Sequence, residues 1–197
     1  MRDAVIVSTA RTPIGKAYRG AFNNTTPQAL AAHAIENAVK RAGVDPASIQ
    51  DCIMGAALQQ GHSGGNIARQ AAIRAGLPVT VAGMSLDRQC ASGMMAIATA
   101  AKQVITDGMD VVIGGGVESI SMVQTPEMRV KADGWLKANK PDIYMSMLET
   151  AEIVADRYNI SREAMDAYGL QSQMRTAAAQ QAGKFTDEIA PLPSTMI

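Results

Sequence analysis

The chain has 197 residues, 18 Lys plus Arg against 18 Asp plus Glu, two His and two Cys, and is 47% hydrophobic with only 4% aromatics. Zero formal charge gives no basic footprint for nucleic acid, no stretch approaches the ~20 apolar residues of a membrane span, and the length suits one ordinary domain or two small ones. Thirteen methionines suit adaptable packing in a core that must otherwise be built from Ala, Val, Ile and Leu.

The N-terminus, Met1-Arg2-Asp3-Ala4-Val5, enters a strand almost at once and carries no signal-peptide pattern. Two cysteines make no disulfide framework, so a reducing, cytoplasmic setting is expected. Ala4–Ser8 reads as a first strand. Pro27–Arg41 reads as a helix, with Thr25 or Thr26 as cap, Pro27 near its first position and Gly43 beyond its end. Its apolar stripe is Leu30, Ala34, Ile35, Ala38 and Val39. Cys52–Ala56 is the second strand, with Cys52 as core filler, and Asn66–Ala75 is the second helix, stopped by Gly76 and Pro78. A third strand, Val81–Leu86, leads to a helix running from Cys90 to about Thr106. Asp110–Gly115 is the fourth strand. This alternation implies an α/β fold with a mainly parallel sheet, and residues 1–121 form its core.

Residues 122–197 read as the start of a loop and helical extension. Gln124 to Pro141 is polar and broken by Pro126 and Gly134, hence an extended loop. Met147 to about Tyr158 and about Arg162 to Ala182 are helices, the second with Ser161 as cap and Gly183 as stop. Phe185 to Pro191 looks like the approach to another strand.

Cys90 is the leading chemical candidate. It stands between a strand and a helix, where unpaired amides and the positive end of the helix dipole converge. That position favours thiolate, the nucleophilic form, and points to covalent acyl or redox chemistry; an inert small residue at a helix start is the plain alternative. From Ala91 through Ala101 the following helix is apolar or small all round, which predicts burial on every side. It should then lie between two sheets, or between this half and another half or subunit.

Other features carry less. Gly114-Gly115-Gly116 lacks the spacing of a dinucleotide or phosphate loop and reads as a place of close backbone approach. His62 lies in a Gly-rich loop; it could act as a base for Cys90, but a solvated loop histidine is the commoner case. His33, on the exposed part of its helix, has no assigned role. Neither histidine has a partner at metal-ligand spacing, so no metal site is expected. Glu149 and Glu152, three apart on a helix, read as ordinary surface charge.

Five segments in order carry a resemblance that covers essentially the whole chain: Ser8–Lys16, Asn66–Ala72, Cys90–Met94, Gly115–Ser121, and the pair Glu149–Glu152 and Ser161–Glu163. The chain resembles the N-terminal half of a thiolase, the family that makes or cleaves 3-ketoacyl-CoA esters. The resemblance implies a thiolase-like fold of two stacked β-α-β-α-β-α-β-β halves with the nucleophile helix between two sheets. It implies an acyltransferase of fatty acid metabolism in which Cys90 takes the acyl group as a thioester while its backbone N–H helps hold the oxyanion. Coenzyme A thioesters are then substrates, with no resident cofactor. Met147 would line the acyl pocket, with core packing as the alternative. A homodimer or homotetramer is implied, with Gln124–Met128 in the assembly region, and no nucleic acid or membrane partner.

The family's Gly-His-Pro and Cys-x-Gly-Gly-Gly motifs, which activate the nucleophile and move the α-proton, do not occur in this sequence. The isolated chain is therefore expected to lack Claisen activity and to be a partial chain needing a C-terminal half. A non-catalytic assembly module is the competing reading. A ketosynthase-like condensing enzyme is a third, disfavoured by the absence of its two histidines.

Overall fold

The computed structural model describes residues 2–128 and 131–197. Met1, and Arg129 and Val130 inside the predicted Gln124–Pro141 loop, lie outside the described residues. The chain divides into two compact units, Met1–Arg129 with Glu188–Ile197, and Val130–Asp187.

The first unit is a three-layer α/β sandwich. Helix α1 (Pro27–Ala42) starts where Thr26 Oγ1 accepts a hydrogen bond from the Ala29 amide, has Pro27 in its first turn, and ends at Gly43 with φ +66°. Strand β1 (Asp51–Gly55) follows, then α2 (Ile67–Arg74), β2 (Ala82–Leu86), α3 (Ser92–Lys102), β3 (Val112–Gly116) and the short helix α4 (Ile120–Val123). Among the described residues the sheet has the order β2-β1-β3. Both ladders are parallel, with Ile53 opposite Met84 on one side and Gly114 on the other.

Parallel strands covered on both faces need side chains directed both ways, and β1 is buried along its whole length. Cys52 and Met54 point into a core with Ala31, Ile35, Ala68, Ala71, Ala72, Leu77 and Val81 from the α1 and α2 side. Ile53 points the other way, onto Ala96 and Ala100 of α3. Full burial of a side chain the size of Ile53 stabilises by about 2–3 kcal/mol. The buried stripe of α1 is Leu30, Ala31, Ala32 and Ile35. It is rotated from the predicted one, because Ala34 and Ala38 lie only half-buried at its margin.

Three expectations are corrected. Ala4–Ser8 forms no strand: Val5, Ile6 and Val7 are 77%, 75% and 69% exposed. A strand must find a ladder partner; β1 has β2 and β3 on its two sides, and the run pairs with neither outer edge. Phe185–Pro191 likewise forms no strand, only a single bridge between Ile189 and Arg11. Finally, α3 is buried on one face alone. Ser92, Ala96 and Ala100 are covered, whereas Met94 is 72% and Ile97 46% exposed. Apolarity all round reports what a helix can cover, and here the sheet supplies one neighbour.

Why α3 lies so close to the sheet follows from glycine. A Cβ on Gly55 would fall 2.2 Å from the Ser92 carbonyl carbon, and one on Gly114 would fall 2.9 Å from Ile97 Cα. Gly116, opposite Gly55 in register, would place a Cβ 3.0 Å from Gly93 Cα. Within the Gly114–Gly116 run, Gly114 and Gly116 thus serve close backbone approach, whereas Gly115 faces the Met54 side chain.

In the second unit, short helices α5 (Gly134–Asn139) and Pro141–Tyr144 interrupt the predicted loop, followed by α6 (Met147–Arg157) and α7 (Arg162–Gln181). The α6 start is a capping box in which Ser146 and Glu149 bond reciprocally. Glu149, expected to be simple surface charge, is held below the usual carboxylate range by the Ser146 amide and then its hydroxyl. Ser161 caps α7 as expected, and Gly183 follows it with φ +66°.

Gly55→Ala is expected to lower stability by about 3 kcal/mol through backbone displacement at the β1–α3 contact. By contrast, Gly169→Ala in α7, where an added Cβ meets nothing within 4 Å, should stabilise by about 1 kcal/mol. Urea midpoints followed by circular dichroism test both.

Candidate functional site

Ligands of open parallel sheets gather beyond the carboxyl ends of the strands. Three loops leave those ends in the first unit. The β2 loop carries Asp87, Arg88, Gln89 and Cys90; the β1 loop begins at Ala56; the β3 loop carries Val117 and Glu118. Hydrogen bonds join them: the Ala56 amide donates to the Leu86 carbonyl at 3.0 Å and the Val117 amide to the Gly55 carbonyl at 3.0 Å. Glu118 closes the group, its carboxylate accepting from the Ala57 amide at 2.8 Å and the Leu58 amide at 3.3 Å.

Cys90 is exposed and lies two residues before the first residue of α3, whose N-cap position is Ala91. The turn that carries it is tightly bonded. The Ala91 and Ser92 amides donate to the Arg88 and Gln89 carbonyls at 3.1 and 3.0 Å. The Asp87 carboxylate accepts from the Gln89 amide at 2.7 Å. Gln89 has φ +48°, a conformation rare for a side-chain-bearing residue.

Cys52, by contrast, is fully buried. Burial first, and the Asp51 carboxylate second, push its thiol from 9.0 up to about 12. Core filler describes it well. Asp51 beside it is also buried, its carboxylate accepting from the Gln103 amide group of the turn after α3 at 2.8 Å.

The remaining candidates lie elsewhere. His62 is exposed on a short helical turn, where its backbone carbonyl accepts from Gln28 at 2.7 Å; among the described residues no hydrogen bond joins it to Cys90. His33 is half-buried, bonded through its carbonyl to Asn37 at 2.8 Å. Met147 belongs to the second unit, 72% exposed at the start of α6. Among the described residues a cavity of about 560 Å³ lies beside Tyr144, Met145 and Ile153, and one of about 430 Å³ beside Thr26, Arg74 and Ser194; Cys90 lines neither of these. Among the described residues no group of three His, Cys, Asp or Glu could hold a metal ion, and no helix is long and apolar enough to cross a membrane.

Sequence reasoning had assigned no role to Glu118, Asn66, Asp87 or Ser92. Asn66 caps α2 by accepting from the Arg69 amide at 3.1 Å and reaches across to donate to the Gly83 carbonyl at 2.8 Å. A signal existed for two of them: Asp two residues before a strained position, and Asn immediately before a helix, both favour local backbone capping. Nothing local announces Glu118, whose hydrogen-bond donors are backbone amides 61 and 60 positions away.

The family model for the thiolase N-terminal domain matches residues 4–196. The chain is 41% identical to a 3-ketoacyl-CoA thiolase of Bacillus subtilis, over 100% of this chain and 50% of that protein. It is 40% identical to an acetyl-CoA acetyltransferase of Cupriavidus necator, over 98% and 51% respectively. A beta-ketoadipyl-CoA thiolase of Pseudomonas aeruginosa is 38% identical, over 97% and 52%. The parallel α/β unit is thus one of a known kind, and the chain belongs to the thiolase family through its N-terminal domain. It spans about half the length of these curated relatives.

With an aromatic disulfide reagent near pH 8, one thiol per native chain, Cys90, should react rapidly, and a second only on unfolding. Because the folded state keeps the Cys52 proton that an unfolded chain loses near 9, the associated stability is fully present below about pH 9. It is lost at up to ~1.4 kcal/mol per pH unit as pH rises towards 12. Urea midpoints should therefore fall through that window, and fall less in Cys52→Ala measured against its own value at pH 8.

Proposed function

We propose that this chain is the nucleophile-bearing half of a thiolase-type acyltransferase, acting on acyl-CoA and 3-ketoacyl-CoA thioesters through Cys90. The observation that carries the reading is the position of Cys90: exposed, on a bonded turn at the carboxyl end of β2, two residues before α3, in a chain of this family.

In the thiolysis direction the Cys90 sulfur attacks the 3-keto carbon, forming an S–C bond and a tetrahedral oxyanion that the Cys90 backbone N–H helps to stabilise. The oxyanion collapses by breaking the bond to the α-carbon, which leaves as the carbanion of acetyl-CoA and takes a proton. The sulfur of coenzyme A then attacks the enzyme thioester, and the Cys90 thiolate departs as acyl-CoA forms. Condensation runs the same steps in reverse. Splitting the reaction at a covalent intermediate replaces one difficult step by two easier ones.

The proton transfers need a positioned base. His62 is not bonded to Cys90, and a C-terminal half of the family type is the proposed source. The exposed face of α3, with Met94 and Ile97, is the surface such a half would cover. Met147 is the proposed contact for the acyl chain. Assembly as a homodimer or homotetramer, a place in fatty acid metabolism and a cytoplasmic setting complete the proposal.

Incubation with acetyl-CoA, followed by intact and peptide mass spectrometry, should reveal an acetyl adduct on Cys90 that is lost in Cys90→Ala. Adduct formation should rise at least tenfold when the C-terminal half of a relative is supplied. No adduct under either condition overturns the reading.

A further inference from the structure

We propose that Ser92 and Asp87 are positioning residues that brace the turn around Gln89 from its two sides and so fix Cys90 for attack; the link to acyl transfer rests on the function proposed above. Gln89 occupies the left-handed region at φ +48°, which a side-chain-bearing residue leaves unless its surroundings hold it. Both of its peptide groups are held by side chains. Its N–H donates to Asp87 Oδ1 at 2.7 Å. Its carbonyl accepts from the Ser92 hydroxyl at 2.6 Å, and that hydroxyl also accepts from the Arg88 amide at 2.9 Å. Cys90 is the next residue, so the torsions fixed at Gln89 set where its sulfur and amide lie.

The direction in which Ser92 bonds separates this role from ordinary helix capping. A capping serine stands at the N-cap and accepts from amides ahead of it. Ser92 is already the first residue of α3, Ala91 holds the N-cap without a side-chain bond, and the Ser92 hydroxyl bonds backwards into the turn. It is also anchored: Ser92 is 4% exposed, and its carbonyl rests where a Cβ on Gly55 would come within 2.3 Å. One end of the brace is therefore fixed to the sheet. Asp87, exposed, supplies the other end.

The test follows alkylation of Cys90 by iodoacetamide in the full chain, with thermal melting to confirm folding. Ser92→Ala should slow alkylation about tenfold, and Ser92→Thr, which keeps the hydroxyl, should recover most of that loss. Adding Gln89→Gly to Ser92→Ala should also restore the rate, because glycine takes φ +48° freely. A purely structural role for Ser92 would not give that rescue. Asp87→Ala should slow alkylation and Asp87→Asn recover it; this exposed site keeps the proposal testable if Ser92→Ala does not fold. Parental rates in folded Ser92→Ala or Asp87→Ala overturn the brace, as does a defect that neither Thr at 92 nor Gly at 89 relieves. Thioester formation from acetyl-CoA, measured alongside, reports on the functional reading separately: absence of an acyl adduct in the parent overturns acyl transfer, whereas the alkylation series decides the brace.

Discussion

The contact on which the first unit depends is the seat of α3 on a patch of β1 and β3 with no side chains. Gly55, Gly114 and Gly116 project no Cβ toward the helix, and the first turn of α3 descends until the Ser92 backbone meets Gly55. Ile53 rises between them, into Ala96 and Ala100, with Leu86 and Val112 packed against the same cluster. Small residues on both surfaces bring the two backbones together, and dispersion gained at such close range falls steeply with any gap. The geometry of the Cys90 turn is therefore inherited from the sheet. A helix seated a few ångström higher would carry Ser92 away from the strand ends.

This seat also explains how three loops become one site. Parallel strands in register end together, so Leu86, Gly55 and Gly116 stand side by side. Backbone bonds from Ala56 and Val117 tie the loops at their roots, and Glu118 gathers the Ala57 and Leu58 amides under one carboxylate. Hydrogen bonds to an ionised acceptor are roughly twice as strong as neutral ones. The charge placed there serves backbone order at the rim of the site, a role distinct from proton transfer.

Much of the first unit was legible in the sequence because its signals are local. Thr26, Pro27 and Gly43 mark α1 by capping chemistry, and β1, β2 and β3 are short apolar runs between breakers. Cys52 was readable as core for the same reason. What failed depended on neighbours. Ala4–Ser8 has the composition of a strand, but composition cannot say whether a ladder position is free. Apolarity around α3 foretold burial against a second sheet, or against another half or subunit; the sheet of this chain covers one face, and Met94 and Ile97 lie exposed on the other. At the candidate site, Cys90 stood out by its junction between strand and helix. Glu118 did not, because its bonds join residues far apart in sequence.

The distribution of order around Cys90 bears on how the turn can work. An exposed nucleophile on a free loop would lose entropy each time it adopted the attacking geometry. Here that cost is met during folding: Gln89 is already in its left-handed conformation, held at its amide by Asp87 and at its carbonyl by Ser92. Such a strained residue persists only where its surroundings over-determine it. Those surroundings reduce, through Ser92, to the glycine seat of α3. The close approach that organises the core and the rigidity that the proposed chemistry at Cys90 requires thus have one physical origin, and a side chain added at Gly55 would disturb both together.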